Sequence, residues 1–433
     1  MFARFVRSQV AGSVALLSCT AFALVWANSP WAAAYFDLAH REVAVSWGDA
    51  TLSLSLRHWI NDLLMAVFFF VVGLEIKREL LVGRLSSLER AILPVGAALG
   101  GMIVPALLYF GCNASGEPSR GWGIPMATDI AFALGILAIF GSRVPPGLRV
   151  FLAALAIADD LGAVLVIALF YTADLNGAAL ALAGIFLLAL FAANRLGVGH
   201  PALYVVLALS VWLAVFSSGV HATVAGVLVA TLVPVRPRRD PAEVLRVVER
   251  RLEDLRSSRL TRESLLGERS QLDALVELHD AAGDLRPPGL SLETALHPFV
   301  AFLILPLFAF FNAGVAIEGG VFETLRAPVS LGIVLGLVLG KQIGILLFGW
   351  LAVRTGRAAL PEAVRWRHVY GAACLGGVGF TMSLFIGDLA FASEALMTEA
   401  KIGVLAASLL AAAWGSAVLA LTLPRPSPSP RRP

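Results

Sequence analysis

"AALAIADDLGAVLVIALFYT", residues 153–172, is almost pure hydrocarbon, yet it carries two adjacent carboxylates, Asp159 and Asp160. Twenty helical residues rise about 30 Å, the thickness of a bilayer core. An ionised carboxylate at the centre of such a helix costs at least about 2.5–3.5 kcal/mol, and a neighbouring acid adds repulsion. Intramembrane acids are therefore functional by default. Adjacent residues point about 100° apart around a helix, so the two cannot both face one neighbour. One can meet a cation while the other faces a water-filled cavity.

The whole chain shares this character. Of its 433 residues, 58% are hydrophobic and 15% charged, whereas a soluble domain has about a quarter charged. Apolar blocks long enough to span start near Val10, His58, Ala91, Ile124, Leu148, Gly177, Pro201, Val220, Pro298, Ala327, His368 and Ile402. The fold class is thus an all-α polytopic membrane protein of twelve spans, the fourth and eighth short. Placing both termini in the cytoplasm puts 27 of the 33 Lys and Arg inside. Only Arg41, Arg57, Arg120 and Arg326 fall in outer loops, with Lys401 at the edge of the last span and Lys341 within the tenth. The positive-inside rule favours this orientation. Cys19, Cys112 and Cys374 form no disulfide framework, metal site or redox motif. The first apolar block lacks a clear cleavage site and reads as a span.

Spans one to eight fill residues 1–235 and spans nine to twelve residues 291–423. Between them, 236–290 is a cytoplasmic insert with 11 Arg and 11 Asp+Glu. "PAEVLRVVERRLEDL" spaces Val244, Val247, Val248 and Leu252 helically, and "SQLDALVELHDA" repeats the pattern, which predicts a solvated helical hairpin. "VAVSWGDATLSLSL" (43–56) alternates around Gly48-Asp49 and predicts a periplasmic β-hairpin, too small to stand alone. The Pro-rich tail, 424–433, is expected to be disordered.

Two spans carry breakers beside polar residues. In "GWGIPMATDIAFALG", Gly121, Gly123 and Pro125 precede Thr128 and Asp129. In "CLGGVGFTMSLF", Gly376, Gly377 and Gly379 precede Thr381 and Ser383. Both predict helices broken at mid-membrane, although glycine and proline are also common in ordinary membrane helices. Lys341, central in the tenth span, requires a carboxylate partner or loss of its charge. Asp388 in "FIGDLAF" has no explanation in the sequence.

The stretches "ATDIAFALG", "AIADDLGA", "GLEIKREL", "SGVHATVAG", "LHPFVAFLILPLFAFFNAGV", "GKQIGI" and "GFTMSLFI" resemble the NhaA family of sodium/proton antiporters, in order over nearly the whole chain. The resemblance implies inverted repeats, spans three to five and ten to twelve, with broken spans four and eleven crossing at the membrane centre. It implies Asp160 as principal Na⁺ (or Li⁺) and proton-binding acid. Asp159 is implied as its partner, paired with Lys341, and Thr128 and Asp129 as the polar pair at the fourth-span break. No cofactor is implied beyond the transported Na⁺ or Li⁺ and H⁺. The resemblance further implies a bacterial inner membrane, a homodimer held partly by the hairpin, and no enzyme or nucleic-acid role.

The same resemblance ties pH response to the cytoplasmic-edge cluster of Glu75, Lys77, Arg78, Glu79, Glu293 and His297, and to Asp62 and His221 elsewhere. An ordinary charged helix end is the alternative for the edge cluster. Leu63 and Thr294 depart from the family pattern, at the packing beside Asp62 and at a position where some members carry a second histidine.

Chemistry agrees with exchange. Na⁺ and Li⁺ are hard cations that take oxygen ligands. A carboxylate cannot favourably hold Na⁺ and H⁺ together, so competition at a site open alternately to each side suffices. Two acids releasing two protons per cation make the exchange electrogenic. An intramembrane aspartyl protease needs two acids on one scissile bond, which the adjacent pair and Lys341 fit poorly. An organic-substrate carrier needs an aromatic or arginine cluster at mid-membrane that the sequence does not offer.

Overall fold

The computed structural model describes residues 9–48, 50–172, 175–198, 200–237, 240–257, 269–285, 287–317 and 320–424. Asp49, the middle of the insert (258–268) and the tail from 425 lie outside these. Among the described residues, the regular structure is helical apart from one hairpin. In order come α1 (Gln9–Ala27), α2 (Ala32–His40), β1 (Glu42–Trp47) and β2 (Ala50–Ser55). Then follow α3 (Leu56–Leu81) and α4 (Leu88–Cys112). A 3-10 segment (Glu117–Met126) leads through extended residues to α5 (Ile130–Ile139). Next are α6 (Pro146–Phe170), α7 (Gly177–Arg195), α8 (Pro201–Phe216) and α9 (Ala222–Leu232). The insert supplies α10 (Pro241–Ser257) and α11 (Arg269–Leu285). Last come α12 (Pro288–Ala313), α13 (Val321–Arg326), α14 (Pro328–Arg354), α15 (Trp366–Gly376), α16 (Phe380–Ala390) and α17 (Glu394–Thr422).

Among the described residues, nine helical segments are long and apolar enough to cross a membrane, ten with the bent pair α15–α16. The shorter apolar α8 and α9 stand where the seventh and eighth spans are expected. Two helices begin eight or more residues before their hydropathy blocks. α12 starts at Pro288 rather than near Pro298, because Pro298 is absorbed just before a π-helical turn at Val300–Ile304. α17 starts at Glu394 rather than near Ile402, so Lys401 is interior, 7% exposed, and donates to the Gly314 carbonyl at 3.2 Å.

The hairpin pairs Val43 with Leu54 and Val45 with Leu52, and these four make its apolar face. Its two-residue turn uses Gly48 at φ +60°, a region open to glycine. Trp59 Nε1 anchors the strands through the Val43 carbonyl at 2.9 Å. In the insert, α10 packs on α11, and Arg251 bridges Glu277 at 2.5 Å and Asp254 at 3.1 Å.

Two helix triples share a plan. Long α4 and α6 flank the broken 117–139 span, and long α14 and α17 flank broken α15–α16, whose halves meet at 43°. The triples meet where α4 and α14 cross at Gly100 and Gly344. A Cβ on Gly344 would lie 2.0 Å from the Gly100 carbonyl oxygen, so the backbones touch, as small residues permit in membranes. Gly344 is one helical turn from Lys341. Gly344→Ala therefore lowers the thermal stability of the detergent-solubilised protein by about 1–3 kcal/mol, the usual cost of overpacking. At Gly111 a Cβ would meet nothing within 4 Å, so Gly111→Ala leaves the melting temperature unchanged. Equal melting curves for the two variants would refute this account of the crossing.

Candidate functional site

At the centre of the molecule the two breaks cross. After the 3-10 segment, Ala127 (φ −85°, ψ 148°) and Asp129 (φ −83°, ψ 98°) are extended, so their peptide groups seek partners outside their own helix. The other break supplies them. Asp129 N–H donates to the Val378 carbonyl at 2.7 Å, and the Thr128 hydroxyl to the Gly376 carbonyl at 2.7 Å. The Ser383 hydroxyl donates to the Ile124 carbonyl at 2.7 Å. Each break is thus satisfied by the other.

Asp129 caps two helices. One carboxylate oxygen accepts from Phe132 N–H at 2.9 Å, at the start of α5. The other accepts from Thr381 N–H at 3.2 Å and from the Thr381 hydroxyl at 2.5 Å, at the start of α16. Two positive helix ends converge on one carboxylate, which offsets both. Thr381 is named in the sequence only as a polar residue beside the break, and its contact with Asp129 is what the fold adds. Its only signal is its place after the glycines of the eleventh span.

α6 brings the acid pair to this crossing. Asp159 accepts a hydrogen bond from Lys341 Nζ at 2.5 Å, with both side chains 0% exposed. Thr128 lies against the same carboxylate. Asp160 is 1% exposed, and neither of its carboxylate oxygens has a hydrogen-bond partner among the described residues. Its electrostatic surroundings are Asp159, Asp129, Glu75 and Lys341, three acids against one lysine. A buried carboxylate without a donor is the costly exception in a folded protein. It requires a proton or a cation.

A cavity of about 670 Å³ reaches towards this point from the insert end of the bundle. Its walls include Glu75 and Glu79 of α3, Leu134 of α5, and Arg149, Ala153 and Ile157 of α6. Ala153, Ile157 and Asp160 are spaced i, i+4, i+7, one face of α6. Asp160 therefore lies one turn beyond Ile157 on the cavity-facing side of α6, while Asp159 turns to Lys341.

The remaining sequence-derived candidates divide. Arg78 pairs with Glu293 at 3.3 Å, with Glu75, Glu79 and His297 close by. Lys77 donates to the Thr231 and Val233 carbonyls at 2.8 and 2.6 Å, satisfying the end of α9. Asp62 is not in this group. It lies near the other end of α3, beside His58 and Asp388, and its carbonyl accepts from Trp212 Nε1 at 3.2 Å. His221 is separate again, its Nε2 bonded to the Tyr171 carbonyl.

The sequence model of the family described as Na⁺/H⁺ antiporter 1 matches residues 3–419. The chain is 49% identical over 417 residues to the Na⁺/H⁺ antiporter NhaA of Acidithiobacillus ferrooxidans, covering 96% of this chain and 95% of that one. It is 47% identical over 423 residues to that of Koribacter versatilis, covering 96% and 90%. It is 48% identical over 422 residues to that of Bordetella parapertussis, covering 97% and 96%. With matches of this length and identity, the chain belongs to the NhaA family of Na⁺/H⁺ antiporters.

Proposed function

We propose that the chain expels cytoplasmic Na⁺ or Li⁺ in exchange for external H⁺, with Asp160 as the group the two ions contest. The observation that carries this is the donor-free Asp160 carboxylate, set beside the Asp159–Lys341 pair and one helical turn beyond the Ile157 wall of the cavity. A proton neutralises Asp160, and a cation neutralises it equally. Holding both at once is disfavoured, so each arriving ion displaces the other. Asp159 supplies a second carboxylate near the cation, and hydroxyl, carbonyl and water oxygens complete the shell that a hard cation prefers. Two protons carried by the acids against one cation make the cycle electrogenic.

The insert and the cavity face the cytoplasm and the hairpin the periplasm, since the arginine-rich segments lie at the insert end. α8 and α9 complete twelve spans, with both termini inside, in a bacterial inner membrane. Competition at Asp160 already slows transport at low pH. The Arg78–Glu293 group, with Glu75, Glu79 and His297, adjusts that response, and Asp62 and His221 contribute from the opposite half.

Adding NaCl to everted vesicles holding a pH gradient, acid inside, tests the function directly. Exchange dissipates the gradient. A gradient unmoved by either NaCl or LiCl would exclude it.

The hairpin joins two protomers. Val43 and Val45 are 41% and 57% exposed, and a two-stranded sheet leaves free edges that recruit further strands. Deleting 45–55 shifts the protein towards monomer on native gels, and each monomer continues to exchange ions. An unchanged oligomer in that deletion would remove the hairpin from the interface.

A further inference from the structure

Asp388 belongs to a polar cap at the hairpin end of the bundle. Its carboxylate pairs with Arg57 and accepts from Asn61 Nδ2 at 2.7 Å. Arg57 Nε donates to Asn312 Oδ1 at 3.1 Å, and Asn61 and Asn312 exchange amide hydrogen bonds at 3.1 and 2.8 Å. Arg57 and Asp388 keep side-chain exposures of 23% and 27%, whereas Asn61 and Asn312 are buried. The cap therefore runs from the surface inwards. It ties three helices together: the start of α3, the end of α12 and the end of α16. Asn61 lies in the π-helical turn Trp59–Leu64, a departure from regular spacing that often marks functional positions.

Beneath the cap the same three helices contribute an aromatic layer. Phe385 of α16 packs on Phe69 of α3 at 5.5 Å and on Phe308 of α12 at 6.1 Å between ring centroids. Beneath that layer is Thr381, bonded to Asp129. Thr381, Phe385 and Asp388 are spaced i, i+4, i+7, so one face of α16 carries all three levels over about 10 Å of rise. A helix moves as a unit over two turns. A shift of α16 at the Asp129 contact must therefore also shift Phe385 and Asp388.

We propose that Arg57 and Asp388, through this cap, are positioning residues that hold the outer closure of the transport path. The proposal rests on the exchange reading above. The cavity lined by Glu75, Arg149 and Ile157 opens at the opposite, insert end, so the cap and the aromatic layer seal the hairpin end in this state. To face outwards the protein must part α16 from α3 and α12, which separates Asp388 from Arg57 and Asn61. Contacts made in only one of two states set their populations. Weakening the cap thus enriches the outward-open state. Apparent affinity scales with the fraction of the competent state, so the two membrane faces respond in opposite directions.

The test uses the full chain in proteoliposomes, with Na⁺ titrated from either side. Asp388→Asn and Arg57→Gln should each tighten the apparent Na⁺ affinity at the outer face by roughly threefold or more and weaken it at the inner face. A purely structural role would move both faces alike, and that result would overturn the proposal. A second variant, Arg57→Cys with Asp388→Cys and the native Cys19, Cys112 and Cys374 replaced by Ala, is joined with a short reducible bis-thiol reagent. Exchange should stop on crosslinking and return on reduction. Continued turnover in fully crosslinked protein would also overturn it. Wild-type vesicles keep the two readings apart: absence of exchange there defeats the antiport reading, whereas exchange there with unmoved variants defeats the closure alone.

Discussion

Asp160→Asn abolishes Na⁺-dependent exchange and Na⁺ binding while the protein remains folded. Asparagine keeps the shape of the side chain but offers one neutral carbonyl oxygen in place of a charged pair. A unit charge against Na⁺ in a partly desolvated site is worth several kcal/mol. Losing even about 2.8 kcal/mol of it weakens binding roughly 100-fold. The fold is not expected to suffer. The Asp160 oxygens accept no hydrogen bond from the described residues, so no donor is stranded when the charge is removed. Neutralising a buried, unpaired carboxylate is stability-neutral or favourable. The measurements are Na⁺-induced current on a supported membrane and the melting temperature in detergent. Persistent Na⁺-dependent current in Asp160→Asn would assign the principal role elsewhere.

Asp159→Asn fails differently. It leaves Lys341, 0% exposed, without its 2.5 Å counter-ion. Breaking a buried ion pair from one side costs about 3–5 kcal/mol, because the surviving charge is uncompensated. This variant therefore loses stability as well as exchange. Neutralising both partners, Asp159→Asn with Lys341→Gln, restores most of the lost stability, since two neutral amides of similar size need no counter-charge. Any exchange that returns in the double variant carries less net charge per cycle. The decisive comparison is the melting temperature of the single against the double variant. A double variant no more stable than Asp159→Asn alone would mean that the pair is not what Asp159 contributes.

Much of this was legible in the chain itself. The hydrocarbon blocks impose helices because a backbone in lipid must satisfy its own hydrogen bonds. The cost of charge in lipid singles out Asp129, Asp159, Asp160 and Lys341 as residues that need a reason. Glycine and proline beside Thr128 and Thr381 mark where two spans break, and the alternation about Gly48 marks the only sheet among the described residues. The motifs point to the family that the comparisons then show. All of these are local or one-dimensional properties, which is why sequence carries them.

Contacts between distant segments required the fold. Arg57 and Asp388 lie 331 positions apart, and neither has a local feature that names the other. Asp388 acquires a reason only when α16 is laid against α3. Thr381 becomes a ligand of Asp129 only because the two breaks cross. Adjacent acids point about 100° apart, so two directions existed from the start. Which of them met Lys341 and which turned to the cavity side of α6 was set by where α14 and α3 pack around α6. Helix formation in a membrane is dictated by the chain's own peptide groups, whereas the pairing of helices depends on shape and a few polar contacts summed over the assembled bundle.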